Sequence, residues 1–219
     1  MESLPPRHAA VHAAISRGDA DALRRALANG GSPNIYDPNT YGIAPLMRVC
    51  WAGQNAPELV SILLAAGADV NAIHGNNLSP LSEAVNKGKL ACIRVLVAGG
   101  ASLTQECSGL TPVEWMSASA NCRRVLPLML RLGSPLPRLE AQAHGRTRRW
   151  MRYGHTPFDA IFYQILLDYR TKVAAAGSWA AYERAHRARL TAIFVNKFPR
   201  LPADAISHIV GLWAHTGHY

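Results

Sequence analysis

Lysine is nearly missing from this chain: four residues against 19 arginines in 219. With alanine abundant, that skew reflects a GC-rich genome at least as much as a binding role. Cysteine is scarce, and Cys50, Cys92, Cys107 and Cys122 never stand at C-x-x-C spacing. The usual zinc and disulfide patterns are therefore lacking, and the four read as small core residues in a reducing compartment. No uninterrupted apolar run approaches the roughly 18 residues of a membrane span, and Met1–Arg7 lacks the basic-then-apolar plan of a signal peptide. The expectation is a cytoplasmic or nuclear protein without a membrane partner. Catalytic signatures are also absent: there is no G-x-S-x-G, P-loop, H-E-x-x-H or G-x-G-x-x-G, and the carboxylates are scattered singly. Neither an enzyme nor a cofactor is expected. His215 and His218 form the closest histidine pair but have no cysteine or carboxylate at ligand spacing, so no metal site is assigned.

What is present suits a folded chain: 49% hydrophobic and 17% charged residues are ordinary for a globular domain. The net charge of +9 is uneven. Residues 1–136 hold 11 basic and 9 acidic side chains, whereas residues 137–219 hold 12 and 5. The last third is the basic part.

The strongest signal is periodic. Ser61–Ala72 is an apolar run that stops at Gly67 and passes into a polar turn, the mark of a helix closed by a left-handed glycine. It recurs at Gly100 and Gly133, each 33 residues on, and a weaker copy ends at Gly30. Between these caps lie Gly42-Ile43-Ala44-Pro45-Leu46, Asn77-Leu78-Ser79-Pro80-Leu81, Gly109-Leu110-Thr111-Pro112-Val113 and Gly154-His155-Thr156-Pro157-Phe158, four versions of G-x-T-P-L. Thr or Ser before Pro supplies an N-cap oxygen and a first helical residue whose missing N–H would be orphaned anyway. Each copy thus starts a helix at a set angle.

Two interleaved marks in phase resemble the ankyrin repeat, whose period is about 33 residues. The resemblance covers residues 8–170 and implies an all-α solenoid of four to five repeats, each a pair of antiparallel helices followed by a projecting hairpin loop. One repeat cannot bury its apolar face, so neighbours must stack. Ala44 replaces the capping hydroxyl, a loss of about 1 kcal/mol. The histidine that commonly follows T-P-L is Met47, Ser82, Glu114 and Asp159 here, and about two extra residues lie around Gly53–Pro57.

Taken in order, residues 1–7 read as a disordered leader and 8–176 as the repeat domain, beginning with an atypical repeat of two short helices in which Asp19 caps the second. The period then breaks, since Pro112 to Pro157 is 45 residues, so a loop insertion is placed at 137–153. A fifth repeat opens at Gly154. Residues 177–219 form a C-terminal helical extension: a helix capped by Ser178 with Trp179, Tyr182, His186, Leu190, Ile193 and Phe194 on its apolar side and Glu183, Arg184, Arg187 and Arg189 solvated, then a short helix. That extension reads as a cap over the open end of the stack.

The resemblance implies a non-catalytic scaffold that binds a protein partner, as a monomer, through hairpin tips and the concave face. The family's contact positions fall on Tyr36, Asp37, Asn39, Tyr41 and Ile43, on Ile73, His74, Asn76, Asn77 and Leu78, and on Gln105, Glu106, Ser108 and Leu110. Inner helices add Arg48, Trp51, Glu83, Asn86 and Lys87. Two alternatives stay open. Arg146, Arg148, Arg149, Trp150, Arg152 and Tyr153 in the insertion could hold nucleic acid or another polyanion by phosphate contacts and stacking. Ile206, Ile209, Val210 and Trp213 form an F-box-like pattern that would make the last helix a docking element for a ubiquitin-ligase-type adaptor.

Overall fold

A computed structural model describes residues 5–37, 43–52, 56–73, 77–116, 122–138 and 158–216. Among them there is no strand, and the helices fall into two compact units, Met1–Ser117 and Ala118–Tyr219.

The first unit is a two-layer stack. Helices α1 (Pro6–Arg17), α3 (Pro45–Ala52) and α5 (Pro80–Asn86) form one layer, continued by a 3-10 turn at Pro112–Trp115. Each packs on the next. Helices α2 (Ala20–Ala28), α4 (Ala56–Ala65) and α6 (Leu90–Ala98) form the second layer and pack on one another in the same order, each also touching its own inner partner. Pro45, Pro80 and Pro112 are the first helical residues, as the G-x-T-P-L spacing requires. Ser79 Oγ accepts from Ser82 N–H at 3.2 Å and Asp19 Oδ1 from Ala22 N–H at 2.8 Å, so hydroxyl and carboxylate caps hold the helix starts. At the other ends Gly67 and Gly100 take φ of +85° and +92°, the left-handed conformation that reverses the chain into the next hairpin.

Burial follows the same logic. Leu46 and Leu81, each just after its proline, and Leu23, Leu59, Leu63, Ile93 and Leu96 from the second layer are wholly buried. Each contributes about 1.5–3 kcal/mol of burial. Cys50, Cys92 and Cys107 are buried free thiols. Helix α1 begins at Pro6, inside the residues read as a leader, where a fixed φ suits the first helical position.

The second unit begins with α7 (Cys122–Arg131), closed by Gly133 at φ +93°. Three longer elements follow: α8 (Phe158–Ala176), α9 (Trp179–Lys197) and α10 (Ala203–Thr216). Helix α9 packs on α7, α8 and α10, and α10 also reaches α7. Ser178 Oγ caps α9 through Ala181 N–H at 3.1 Å. In the segment read as a fifth repeat, α8 runs 19 residues unbroken to Ala176, about twice the length of the outer helices α2, α4 and α6. Ile193, expected on the apolar side of α9, is exposed. Glu183, expected in solvent, is mostly covered and accepts from Arg131 Nε on α7 and from Arg187 Nη2 at 3.1 Å. The pull of two guanidinium groups, one of them 52 residues away, outweighs its place in the helical pattern.

Candidate partner-binding surface

The hairpins are built from backbone bridges and borrowed side-chain bonds. Asp37 pairs with Ile43 and Cys107 with Leu110 as isolated antiparallel bridges. Adjacent copies are tied by asparagines. Asn34 donates from Nδ2 to Gly67 O at 3.0 Å and accepts at Oδ1 from Asp69 N–H at 2.8 Å. Asn71 repeats this with Gly100 O at 3.3 Å and Ser102 N–H at 2.8 Å. Further out, Asn77 Nδ2 donates to Ser108 Oγ at 2.6 Å, and both residues take positive φ, 54° and 52°.

This construction sorts the expected contact residues. Tyr36, Ile73 and Glu106 each lie six residues after a capping glycine, Gly30, Gly67 and Gly100, and all three are exposed. They form a row along successive hairpins. Trp51 and Asn86 each lie six residues after the helix-opening proline, Pro45 and Pro80, on inner helices that pack together. Tyr36 is 47% exposed, Trp51 51% and Ile73 43%, and among the described residues of the first unit these are the exposed large apolar side chains. Asn77, Lys87 and Ser108 are exposed, and Asn86 and Gln105 half-buried. Gln105 is held in place, its Nε2 donating to Asn71 O at 3.0 Å.

Others are withdrawn from the surface. Ile43, Leu78 and Leu110 are buried core residues. They stand on the returning arm of each hairpin just before an inner helix, where the side chain turns into the stack; Ile43 and Leu78 cluster with Met47, and Trp115 packs against them. Trp115 also donates from Nε1 to Cys107 O at 3.0 Å. Glu83 is buried too, with a carboxylate oxygen 3.8 Å from Lys87 Nζ. Arg48 and Asp37 are committed to each other: Arg48 Nη1 donates to Asp37 Oδ2 at 3.2 Å and Nη2 to Ser16 Oγ at 2.9 Å. Asn39, Tyr41, His74, Asn76 and the basic run Arg146, Arg148, Arg149, Trp150, Arg152 and Tyr153 lie outside the described residues, as does the side chain of Trp213.

In the second unit Ile206 is 2% and Val210 3% exposed, and Ile209 is half-buried. Ile206 and Val210 of α10 are therefore packed against neighbouring helices. A small cleft is lined by Tyr169, Trp179, Tyr182, His186, Arg131 and Glu183; Tyr182 and His186 stack at 5.7 Å and Trp179 lies 5.4 Å from Tyr182. Among the described residues no cluster of His, Cys, Asp and Glu could hold a metal ion. No described helix is long and apolar enough to cross a membrane.

Two residues escaped the sequence reading. His8 and His12 on α1 are buried and hold the first hairpin: Ser32 N–H donates to His8 Nδ1 at 3.0 Å, and His12 Nε2 donates to Ile35 O at 3.0 Å. Burial keeps the His12 imidazole below its ordinary range, opposed by its bond to Ile35 and by Asp37. The signal was present, since His12 stands six residues before Gly18 as Ser82 stands six before Gly88. It therefore occupies the histidine position that the later copies lack.

The comparison with known proteins agrees with this architecture. Residues 46–135 match the family described as ankyrin repeats (3 copies), from the second residue of α3 to just past Gly133. Over 121 residues, 55% of this chain and 25% of the other, the sequence is 31% identical to the B-cell lymphoma 3 protein homolog of Mus musculus. The chain thus covers about a quarter of the length of the curated relative it matches. Paired helices in two layers, glycine-closed outer helices and projecting hairpins agree with the ankyrin repeats matched over residues 46–135, and such repeats are protein–protein interaction modules.

Proposed function

We propose that the chain is a non-catalytic binding scaffold that holds a protein partner across the hairpin row and the ends of the inner helices, with Tyr36, Trp51 and Ile73 as anchors. One observation carries this reading. The described large apolar side chains that the first unit leaves exposed all fall at the family's contact positions, whereas its other described large apolar side chains are buried or half-buried. Exposed aromatic side chains at recurring positions are the usual centres of interface energy. Asn77, Lys87, Glu106 and Ser108 supply the polar rim. Asp37 and Arg48 hold the tip in shape.

The adaptor reading draws no support from α10, since Ile206 and Val210 are spent on packing; this favours the C-terminal extension as a structural cover for α7. The test is affinity capture from a nuclease-treated cell lysate with the wild-type chain and with Tyr36→Ala/Trp51→Ala/Ile73→Ala. A coherent partner set lost by a variant that melts like wild type supports the reading. A set retained in full removes it.

A further inference from the structure

We infer that the cleft between α7, α8 and α9 is a binding site for a carboxylate group, held by the indole N–H of Trp179 and the Nε–H of Arg187. The site belongs to the second unit and does not depend on the partner reading above.

The sequence builds the cleft on one helix face. Trp179, Tyr182, Glu183, His186 and Arg187 follow one another along α9 at steps of three and one, so all five share a side. Helix α8 supplies Tyr169, and α7 supplies Arg131. The Tyr169 ring lies 5.8 Å from that of Trp179 and 6.3 Å from that of Tyr182. With the Tyr182–His186 stack, these contacts give the cleft stiff, largely apolar walls.

Two donors in those walls have no acceptor. Trp179 Nε1 and Arg187 Nε are shut off from solvent and make no hydrogen bond, although Arg187 Nη2 reaches Glu183. An enclosed N–H without an acceptor is destabilising, more so on a charged group, and such groups are rare in folded proteins. A ligand that brings lone pairs answers both.

Charge and size then select its chemistry. The side chains lining the cleft include two guanidinium groups, Arg131 and Arg187, against the one carboxylate of Glu183. Burial, aided by Arg189 and Lys172 and opposed by Glu183, keeps the His186 imidazole below its ordinary range, so near neutral pH the ring adds no charge. Aromatic walls alone would suit a cation. Here a cation would meet a net positive lining and unanswered donors. The free volume is about 20 Å³, and one water needs about 10–15 Å³. That space admits a headgroup of a few atoms and excludes a ring. A carboxylate satisfies all of these conditions, with two oxygens for two N–H groups and a negative charge against the excess. A single water in the cleft would leave that excess in place.

The test is proton–nitrogen NMR of the full chain, with the Trp179 indole signal assigned by its loss in Trp179→Phe. Sodium acetate should move that signal saturably in the millimolar range, and sodium chloride at equal concentration should not. Bound acetate should also raise the pH at which His186 titrates, because a nearby negative charge favours the imidazolium. Arg187→Lys keeps a cation beside Glu183 but lacks Nε, so it should melt like wild type and bind acetate about tenfold more weakly. Trp179→Phe, read at His186, should lose most of the acetate response. Trialanine and its C-terminal amide identify the source of the group: tighter binding of the free acid than of acetate, with the amide inert, assigns the site to a peptide terminus, and equal binding assigns it to a small acid. A chloride response equal to that of acetate overturns the inference, as does the lack of a saturable shift up to about 100 mM acetate. So does acetate binding that both variants leave unchanged.

Discussion

Asn34 reaches from the first hairpin onto the Gly67 carbonyl of the next repeat at 3.0 Å, and the same side chain takes the Asp69 N–H at 2.8 Å. One amide thereby satisfies a donor and an acceptor that the end of α4 leaves open. Asn71 does the same one repeat later. Asn34→Ala and Asn71→Ala should each cost about 1 kcal/mol, because the bonds are exposed and net hydrogen bonds contribute about that much. Urea unfolding of the single variants and the double measures whether the losses add, as separate sites should.

Gly31 follows the left-handed Gly30 and Gly99 precedes the left-handed Gly100, and the two differ in what surrounds them. A Cβ on Gly31 would sit 2.6 Å from both Ala26 O and Val11 Cγ2, and 3.0 Å from Arg7 O. On Gly99 the nearest atom is the mobile end of Leu64, at 2.6 Å. Gly31→Ala should therefore lose about 2–3 kcal/mol, as overpacking against backbone does, and Gly99→Ala about 1 or less. Equal melting of the two variants would contradict this.

Glu183 joins α7 to α9 by taking hydrogen bonds from both Arg131 and Arg187. Glu183→Gln keeps the shape but removes the carboxylate charge that faces two partly covered guanidinium groups. The expected loss is about 2 kcal/mol, below that of a wholly buried pair because the side chains retain some solvent. Exchange rates of α9 amides should rise while those of α5 and α6 stay unchanged.

Cys50 is fully enclosed, and burial, with Cys92 nearby as the next cause, pushes its thiol well above the ordinary range. A raised thiol contributes stability that is complete below the ordinary thiol range and lost as pH rises through it. At about pH 8 the native chain should react with a thiol reagent at Cys50 only as fast as it opens, and mild urea should speed that reaction. Rapid labelling of the folded chain at Cys50 would argue against this packing.

Much of the fold was legible because its signals are local and repeated. Ser79 and Thr111 before proline mark two of the inner starts, and Gly67, Gly100 and Gly133 take the left-handed φ that their positions imply. Tyr36, Trp51 and Ile73 were legible as surface residues for the same reason. The misreadings share a cause in long-range packing. Ile43, Leu78 and Leu110 are adjacent in sequence to exposed tip residues but point into the stack, a two-fold alternation that a helical period does not reveal. Glu183 lies among arginines on a polar helix face, and nothing near it in sequence announces Arg131.

The most direct test of the account places a photo-crosslinking residue singly at Trp51, at Ile73 and at Arg94, the last exposed on the outer helix α6. In a cell lysate, positions 51 and 73 should capture the same protein and position 94 should not. Capture from position 94 alone would put recognition on the opposite layer and contradict the assignment of Tyr36, Trp51 and Ile73 as anchors.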